Sequence, residues 1–293
     1  TDRRARVLNV LTHGVSSAGV AALLKTSWAD LGVAAVCGWL IGLLANVAIG
    51  RPRLLASYEA ISALIVTFIA IVVSAFVVPL ALKSVVLASL IVLLPGMTLT
   101  TAVRELSSQH LVSGIARLAG ASATLLKLAF GTVAASQLCR VLDIVPADHG
   151  LAPVPVWAEW IALLASACSF AVIFRAARRD VVLVMSAVLT GYAVTRLGGA
   201  RLGPEFGVFL AGLVLGALSN LYASLAHRPG ALLREPGIVL LVPGSVGFRS
   251  LSLVFERDVL LGLDTAVSLV VLLISLVAGL LFGDLLVPSR RSL

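Results

Sequence analysis

Charge is scarce in this chain. Asp, Glu, Lys and Arg make up 12% of 293 residues, about half the roughly 25% of a soluble domain, which excludes an ordinary water-soluble globule. Cysteine is nearly absent. Cys37, Cys139 and Cys168 are odd in number and far apart, which excludes a disulfide framework or a redox pair and leaves them as packing residues. The four histidines, at 13, 110, 149 and 227, lack the spacing of metal ligands, so neither a metal nor a cofactor is expected. No HExxH, GxSxG or P-loop occurs, and Phe282-Gly-Asp284 is only a fragment of an aspartyl-protease pattern; the chain does not read as an enzyme. It also lacks a cleavable leader and an initiator methionine, so it is expected to begin inside a longer protein.

Apolar residues are plentiful, at 60% with a mean hydropathy of +1.09. Runs such as Ile61–Val78 and Ala266–Phe282 carry no charge over a bilayer's width. The fold class is therefore an all-α polytopic membrane protein in a lipid bilayer. The formal charge of +8 sits in short clusters between apolar runs, without interleaved aromatics, so it marks topology rather than nucleic-acid binding. Arginine far outnumbers the three lysines, Lys25, Lys83 and Lys127; with the Ala/Val/Leu richness this points to a GC-rich bacterial genome and a plasma (inner) membrane location.

About ten transmembrane segments are expected, over 6–24, 31–49, 59–78, 80–95, 111–139, 156–174, 181–195, 205–223, 231–243 and 259–287. The one long loop, Asp143–Pro155 with its three prolines, separates residues 1–145 from 146–293. With both termini in the cytoplasm, basic residues fall two to one on the cytoplasmic side.

The two parts echo each other at an offset of 148 residues: Pro95-Gly96 returns as Pro243-Gly244, Gly114 as Gly262 and Gly131 as Gly279. Five segments per half is an odd number, so the second half must be inserted upside down. Such inverted repeats are a recurrent plan of secondary transporters. Each half would carry a helix broken at Pro-Gly, dipping from opposite sides toward one cavity.

At each break, proline removes a backbone donor and glycine lets the chain turn. Freed backbone groups are tolerated at membrane depth beside a cavity or buried in protein. Thr98, Thr100 and Thr101 follow the first break and Ser245 the second. A helix starting there aims its positive end at the site and suits a carboxylate; alternatively, Pro-Gly merely ends a helix before a surface loop. Arg104 is suited to a substrate carboxylate, and its neighbour Glu105, pointing elsewhere, to an ammonium or a proton. Arg249 is the second-half candidate. For all three, an interfacial helix with solvated charges is the competing account. Thr100 and Ser113 are candidates for a substrate hydroxyl. Glu105, Arg117, Lys127 and Asp264 are coupling candidates, because an ionisable group within a span is costly and usually faces a partner or a water path. Asp284 reads as a solvated helix end, Glu59 as a helix N-terminus, and Asn46 and Asn220 as interhelical hydrogen bonders. Gly38/Gly42, Gly212/Gly216 and Gly279/Gly283 read as close-packing pairs.

Leu94-Pro-Gly-Met-Thr-Leu-Thr-Thr-Ala-Val-Arg-Glu-Leu106 and Ser113-Gly-Ile-Ala-Arg-Leu118 resemble the first membrane half of the threonine/serine exporter family. Asn220-Leu-Tyr-Ala223, His227-Arg-Pro229 and Pro236-Gly-Ile-Val-Leu-Leu-Val-Pro-Gly-Ser245 resemble its smaller companion module. The resemblance spans nearly the whole chain in the order of the fused form. It implies ten spans and efflux of L-threonine and L-serine coupled to protons, and it also implies a hydrophilic cytoplasmic domain ahead of the first span that this sequence does not contain. Some two-chain members of the family look like C4-dicarboxylate exporters, the second transport reading. Thr101 stands where relatives often carry Asn or Asp. A passive channel and an intramembrane enzyme are the remaining alternatives, and a homo-oligomer fits any of these.

Overall fold

The computed structural model describes residues 3–147, 152–174, 176–239, 241 and 244–288. Its helices are α1 (Arg3–Leu23), α2 (Trp28–Ala48), α3 (Pro52–Phe76), α4 (Leu82–Ser89), α5 (Gly96–Ser107), α6 (Leu111–Val141), α7 (Val156–Ile173), α8 (Val181–Leu202), α9 (Pro204–Ala226), α10 (Ala231–Val239), α11 (Gly244–Phe255) and α12 (Val259–Leu286). There is no strand among the described residues.

Seven helices, α2, α3, α6, α7, α8, α9 and α12, are long and apolar enough to cross a membrane. The ten expected segments each fall on a helix, but three are not plain spans. The fourth is the 8-residue α4, which runs through a short 3-10 turn and bends by 52° into α5. The ninth is the 9-residue α10, with Pro236 inside it. At 1.5 Å per residue such pieces reach about 12–14 Å, under half of a hydrocarbon core of about 30 Å. The first, α1, begins with three arginines, and its interior buries Thr12, His13, Ser16 and Ser17. Thr12 Oγ1 donates to the Leu8 carbonyl at 2.9 Å and Ser16 Oγ to the His13 carbonyl at 3.0 Å within the helix, and Ser17 Oγ donates to the Ser89 carbonyl of α4 at 3.3 Å. Low hydropathy is thus confined to a face turned toward other helices.

The chain divides into two compact units, residues 1–94, 124–173 and 251–262 in one, and 95–123, 174–250 and 263–293 in the other. In the first unit α1 packs on α2, α4 and α7, and α2, α3 and α4 pack on one another. Gly38 lets α2 approach α1 so closely that a Cβ would stand 2.6 Å from the His13 carbonyl oxygen. In the second unit α8, α9 and α10 form the corresponding mutually packed trio. The sequence echo recurs in packing. A Cβ on Gly131 of α6 would meet the Ala60 carbonyl of α3 at 2.3 Å, and one on Gly279 of α12 would meet the Phe209 carbonyl of α9 at 2.1 Å. Gly279 lies 148 residues after Gly131, and Phe209 lies 149 after Ala60.

The units do not coincide with residues 1–145 and 146–293: residues 95–123 belong to the second unit and residues 251–262 to the first. First-half α5 packs against second-half α10 inside the second unit. Reciprocally, Glu256 after α11 pairs with Lys83 of α4 at 3.5 Å inside the first unit.

Asp30, fully buried, fixes the first unit's α1–α2 corner. Its Oδ2 accepts from Ser27 N and Ser27 Oγ, each at 2.8 Å, and its Oδ1 accepts from Ala81 N at 2.9 Å. The first contact closes a capping box on α2; the last ties that cap to the α3–α4 linker. Asp30→Asn turns one acceptor into a donor facing donors, and thermal unfolding is expected to show a loss of about 1–3 kcal/mol. In the second unit, buried Asp180 accepts from Arg228 Nη1 at 2.5 Å, joining the segment before α8 to the one after α9. Hydrogen bonds to Tyr222 and then to Asp180 push the Arg228 pKa above its ordinary value.

Candidate functional site

The second unit concentrates ionisable groups around α5. Pro95 opens this helix with φ −81° and ψ 40°, and no side chain caps its N-terminus. The Pro95 carbonyl accepts from Leu99 N at 2.9 Å, which starts the ladder, while the first-turn N–H groups keep their partial positive charge. Gly96 and Thr100 are buried and Thr98 is half-buried. Thr100 Oγ1 donates to the Gly96 carbonyl at 3.0 Å, so its oxygen retains acceptor capacity.

Arg104 and Glu105, one helical step of about 100° apart, take separate partners. Arg104 Nη2 donates to Asp284 Oδ2 of α12 at 3.1 Å. Glu105 Oε1 accepts from Arg117 Nε of α6 at 2.9 Å, while Glu105 Oε2 is buried and has no hydrogen-bond partner among the described residues. The α5–α6 corner that makes the second pair reachable is tight, since a Cβ on Gly114 would meet Leu106 Cγ at 2.8 Å.

Asp284 is held on a rigid platform. Gly212 and Gly216 of α9 face Gly279 and Gly283 of α12, and a Cβ on Gly216 would stand 2.9 Å from the Leu280 carbonyl. One turn beyond Gly216, Asn220 Nδ2 donates to Asp284 Oδ1 at 2.7 Å and to the Val287 carbonyl at 2.9 Å. Arg234 of α10 is half-buried within electrostatic reach of Arg104, Asp284 and Glu235. Four helices thus bring two guanidinium groups, a carboxylate and an amide together, an arrangement that attracts a small anion.

Other expected site residues lie apart from this cluster. Ser113 is exposed and donates to the His110 carbonyl at 3.3 Å. Arg249 is exposed on α11 and Asp264 is exposed on α12. Gly244 opens α11 and is buried; Ser245 is half-buried; Pro243 lies outside the described residues. Lys127 belongs to the first unit, where Nζ donates to Glu59 Oε2 and to the Ala56 carbonyl, each at 3.2 Å. Lys127 and Glu59 therefore form one intramembrane pair.

Sequence reading missed Asp284 and Arg234 as site residues and took Asn220 only as a hydrogen bonder. The available signal was register: Asn220 continues the Gly212/Gly216 stripe by four residues, and Asp284 follows Gly283 directly. Among the described residues no group of three or more His, Cys, Asp or Glu could hold a metal. A cavity of about 260 Å³ in the first unit lies against Trp28, Trp39 and Trp157, but its lining is almost wholly apolar and offers a zwitterion no partner.

Comparison with known proteins points to a family of membrane transporters. A family model for threonine/serine exporters matches residues 1–139, and a second, "Threonine/Serine exporter, ThrE", matches residues 159–286. The chain is 27% identical over 250 residues to Pheromone-regulated membrane protein 10 of Zygosaccharomyces rouxii, covering 82% of the chain and 25% of that protein. It is 25% identical over 234 residues to the protein of the same name from Eremothecium gossypii, covering 76% of the chain and 31% of that protein. The chain thus spans about a quarter to a third of the length of these curated relatives. No solved structure matches it.

Proposed function

Because this chain belongs to the threonine/serine exporter family, we propose that it is a secondary active exporter of L-threonine and L-serine, driven by the proton motive force and working by alternating access. The observation that carries this reading is the divergence of Arg104 and Glu105 just past the Pro-Gly break, which offers a cation and a carboxylate to the two ends of a zwitterion. Thr98 and Thr100 sit at the uncapped helix start, where a substrate carboxylate or hydroxyl is favoured. Gly244, Ser245 and Arg249, at the start of α11, are the proposed second-half contribution to substrate binding. The topology we propose is ten membrane segments in two inverted repeats, 1–145 and 146–293. The recurrence of the Gly131 and Gly279 contacts and the packing of α1 on α7, the first segments of the two halves, support it. Basic-residue distribution supports cytoplasmic termini, and a bacterial plasma membrane is the proposed location.

Glu105 is the proposed coupling residue, positioned by Arg117. The pair of Lys127 and Glu59 is a second coupling element, while the exposure of Asp264 gives it no such support. A C4-dicarboxylate substrate is the one competing reading with an observation behind it, since Arg234 near Arg104 could take a second carboxylate. Counterflow in proteoliposomes decides between them. Trapped unlabelled threonine is expected to drive uptake of labelled threonine, with serine competing and succinate not. Competition by succinate alone would select the diacid, and movement of none of the three would refute the transport assignment. Accumulation that collapses with a protonophore excludes a passive channel.

A further inference from the structure

We infer that Asp284 is a specificity-determining residue of the transport site: its carboxylate holds Arg104 and competes there with the carboxylate of an arriving substrate. The inference rests on the exporter reading above and adds a residue to its site. Arg104 Nη2 donates to Asp284 Oδ2 at 3.1 Å, so the guanidinium charge is already shared with an internal carboxylate. Both side chains are about a quarter to a third exposed, so water and small solutes reach the pair. Asp284 cannot drift after Arg104. Asn220 clasps its other oxygen at 2.7 Å and also clasps the Val287 carbonyl, and Gly279 and Gly283 lock α12 onto α9. A substrate carboxylate therefore competes with a fixed internal carboxylate for Arg104, which sits on the short arm α5.

The consequence is selectivity. A solute without a carboxylate has no means of displacing Asp284, so Arg104 stays paired. A solute with one exchanges like for like and frees α5 from α12. The apparent affinity is lowered by the fraction of Arg104 held in the internal pair. A partly exposed pair of this kind holds only weakly, so removing the competitor should tighten binding about three- to fivefold.

Asp284→Asn makes the test, since the amide oxygen can still accept from Asn220 while the charge facing Arg104 is gone. In threonine counterflow, KM is expected to fall about three- to fivefold. Asn220→Ala keeps both charges but loosens the clasp, and should shift KM the same way by a smaller factor. An unchanged or higher KM in both variants overturns the proposal. A second readout does not depend on the substrate. In a Cys168→Ala background, a cysteine introduced by Thr101→Cys on α5 should react with maleimide several-fold faster once Asp284→Asn is added, because α5 is no longer tied to α12. Equal rates refute the competition whatever solute is carried. If no amino acid or diacid moves in the unmodified protein, the exporter reading fails, and labelling alone then decides for or against the Arg104–Asp284 tie.

Discussion

Gly279→Leu is expected to cost about 3 kcal/mol or more and to leave little folded protein in the membrane. A Cβ at this position would stand 2.1 Å from the Phe209 carbonyl oxygen and 2.9 Å from the Leu213 nitrogen. Both are backbone atoms within a helix, so no rotamer change relieves the clash and α9 and α12 must separate. Between membrane helices, close backbone approach through small residues supplies much of the association, because lipid offers no hydrophobic driving force. Separation would also dissolve the Asn220 clasp on Asp284. Gly32→Leu is the control. It is a helical glycine too, but a Cβ there meets nothing within 4 Å. Its effect should stay within about 0.5 kcal/mol, helped by the better helix propensity of leucine. Monodispersity and thermal unfolding of the purified variants measure both. Equal tolerance of the two substitutions would mean that the α9–α12 contact does not hold the second unit together.

The placement of helices was legible because apolar runs are long and glycine and proline punctuate them. The Gly212/Gly216 and Gly279/Gly283 pairs pack face to face as their spacing predicts. The divergent aims of Arg104 and Glu105 follow from their adjacency alone. What hydropathy could not convey is which segments are interrupted, since a mean over 18 residues is blind to a 52° bend after α4. Nor could it convey that α5 packs with the other half's α10, because packing between distant segments leaves no trace in local pattern. Asp284 was misread for a related reason. Near the end of a long apolar helix, a carboxylate looks solvated until a distant residue such as Arg104, 180 positions earlier, is brought beside it. Asp30 likewise gave no functional signal, being a cap whose second partner, Ala81, is 51 residues away.

Glu105→Gln is expected to abolish uphill export, lowering proton-driven accumulation at least tenfold, and to remove the dependence of substrate affinity on pH. The sign follows from which end of the substrate each acid meets. Where a proton and a substrate ammonium seek the same carboxylate, they exclude each other. Inward proton flow then exchanges for outward amino acid, as an exporter requires. Affinity in the unmodified protein should accordingly weaken as pH falls, because protonation removes the charge that the ammonium needs. Where a substrate carboxylate instead displaces an internal one from a shared cation, the freed acid takes up a proton more readily, so proton and substrate bind together. Under the proposed function that would be the linkage of Asp284, and it would have the wrong sign to drive export. The geometry favours the same division of labour. Glu105 has one oxygen on Arg117 and a second, buried one with no partner among the described residues, so it keeps acceptor capacity for a competing cation; the oxygens of Asp284 are both engaged. Measuring threonine binding and ΔpH-driven efflux across a pH series, for Glu105→Gln beside Asp284→Asn, separates them. The first should give weak binding on a flat profile without accumulation, and the second tighter binding with the pH response of the unmodified protein. A pH response that survives in Glu105→Gln and vanishes in Asp284→Asn would assign proton coupling to Asp284, and with it a substrate and proton that travel in the same direction.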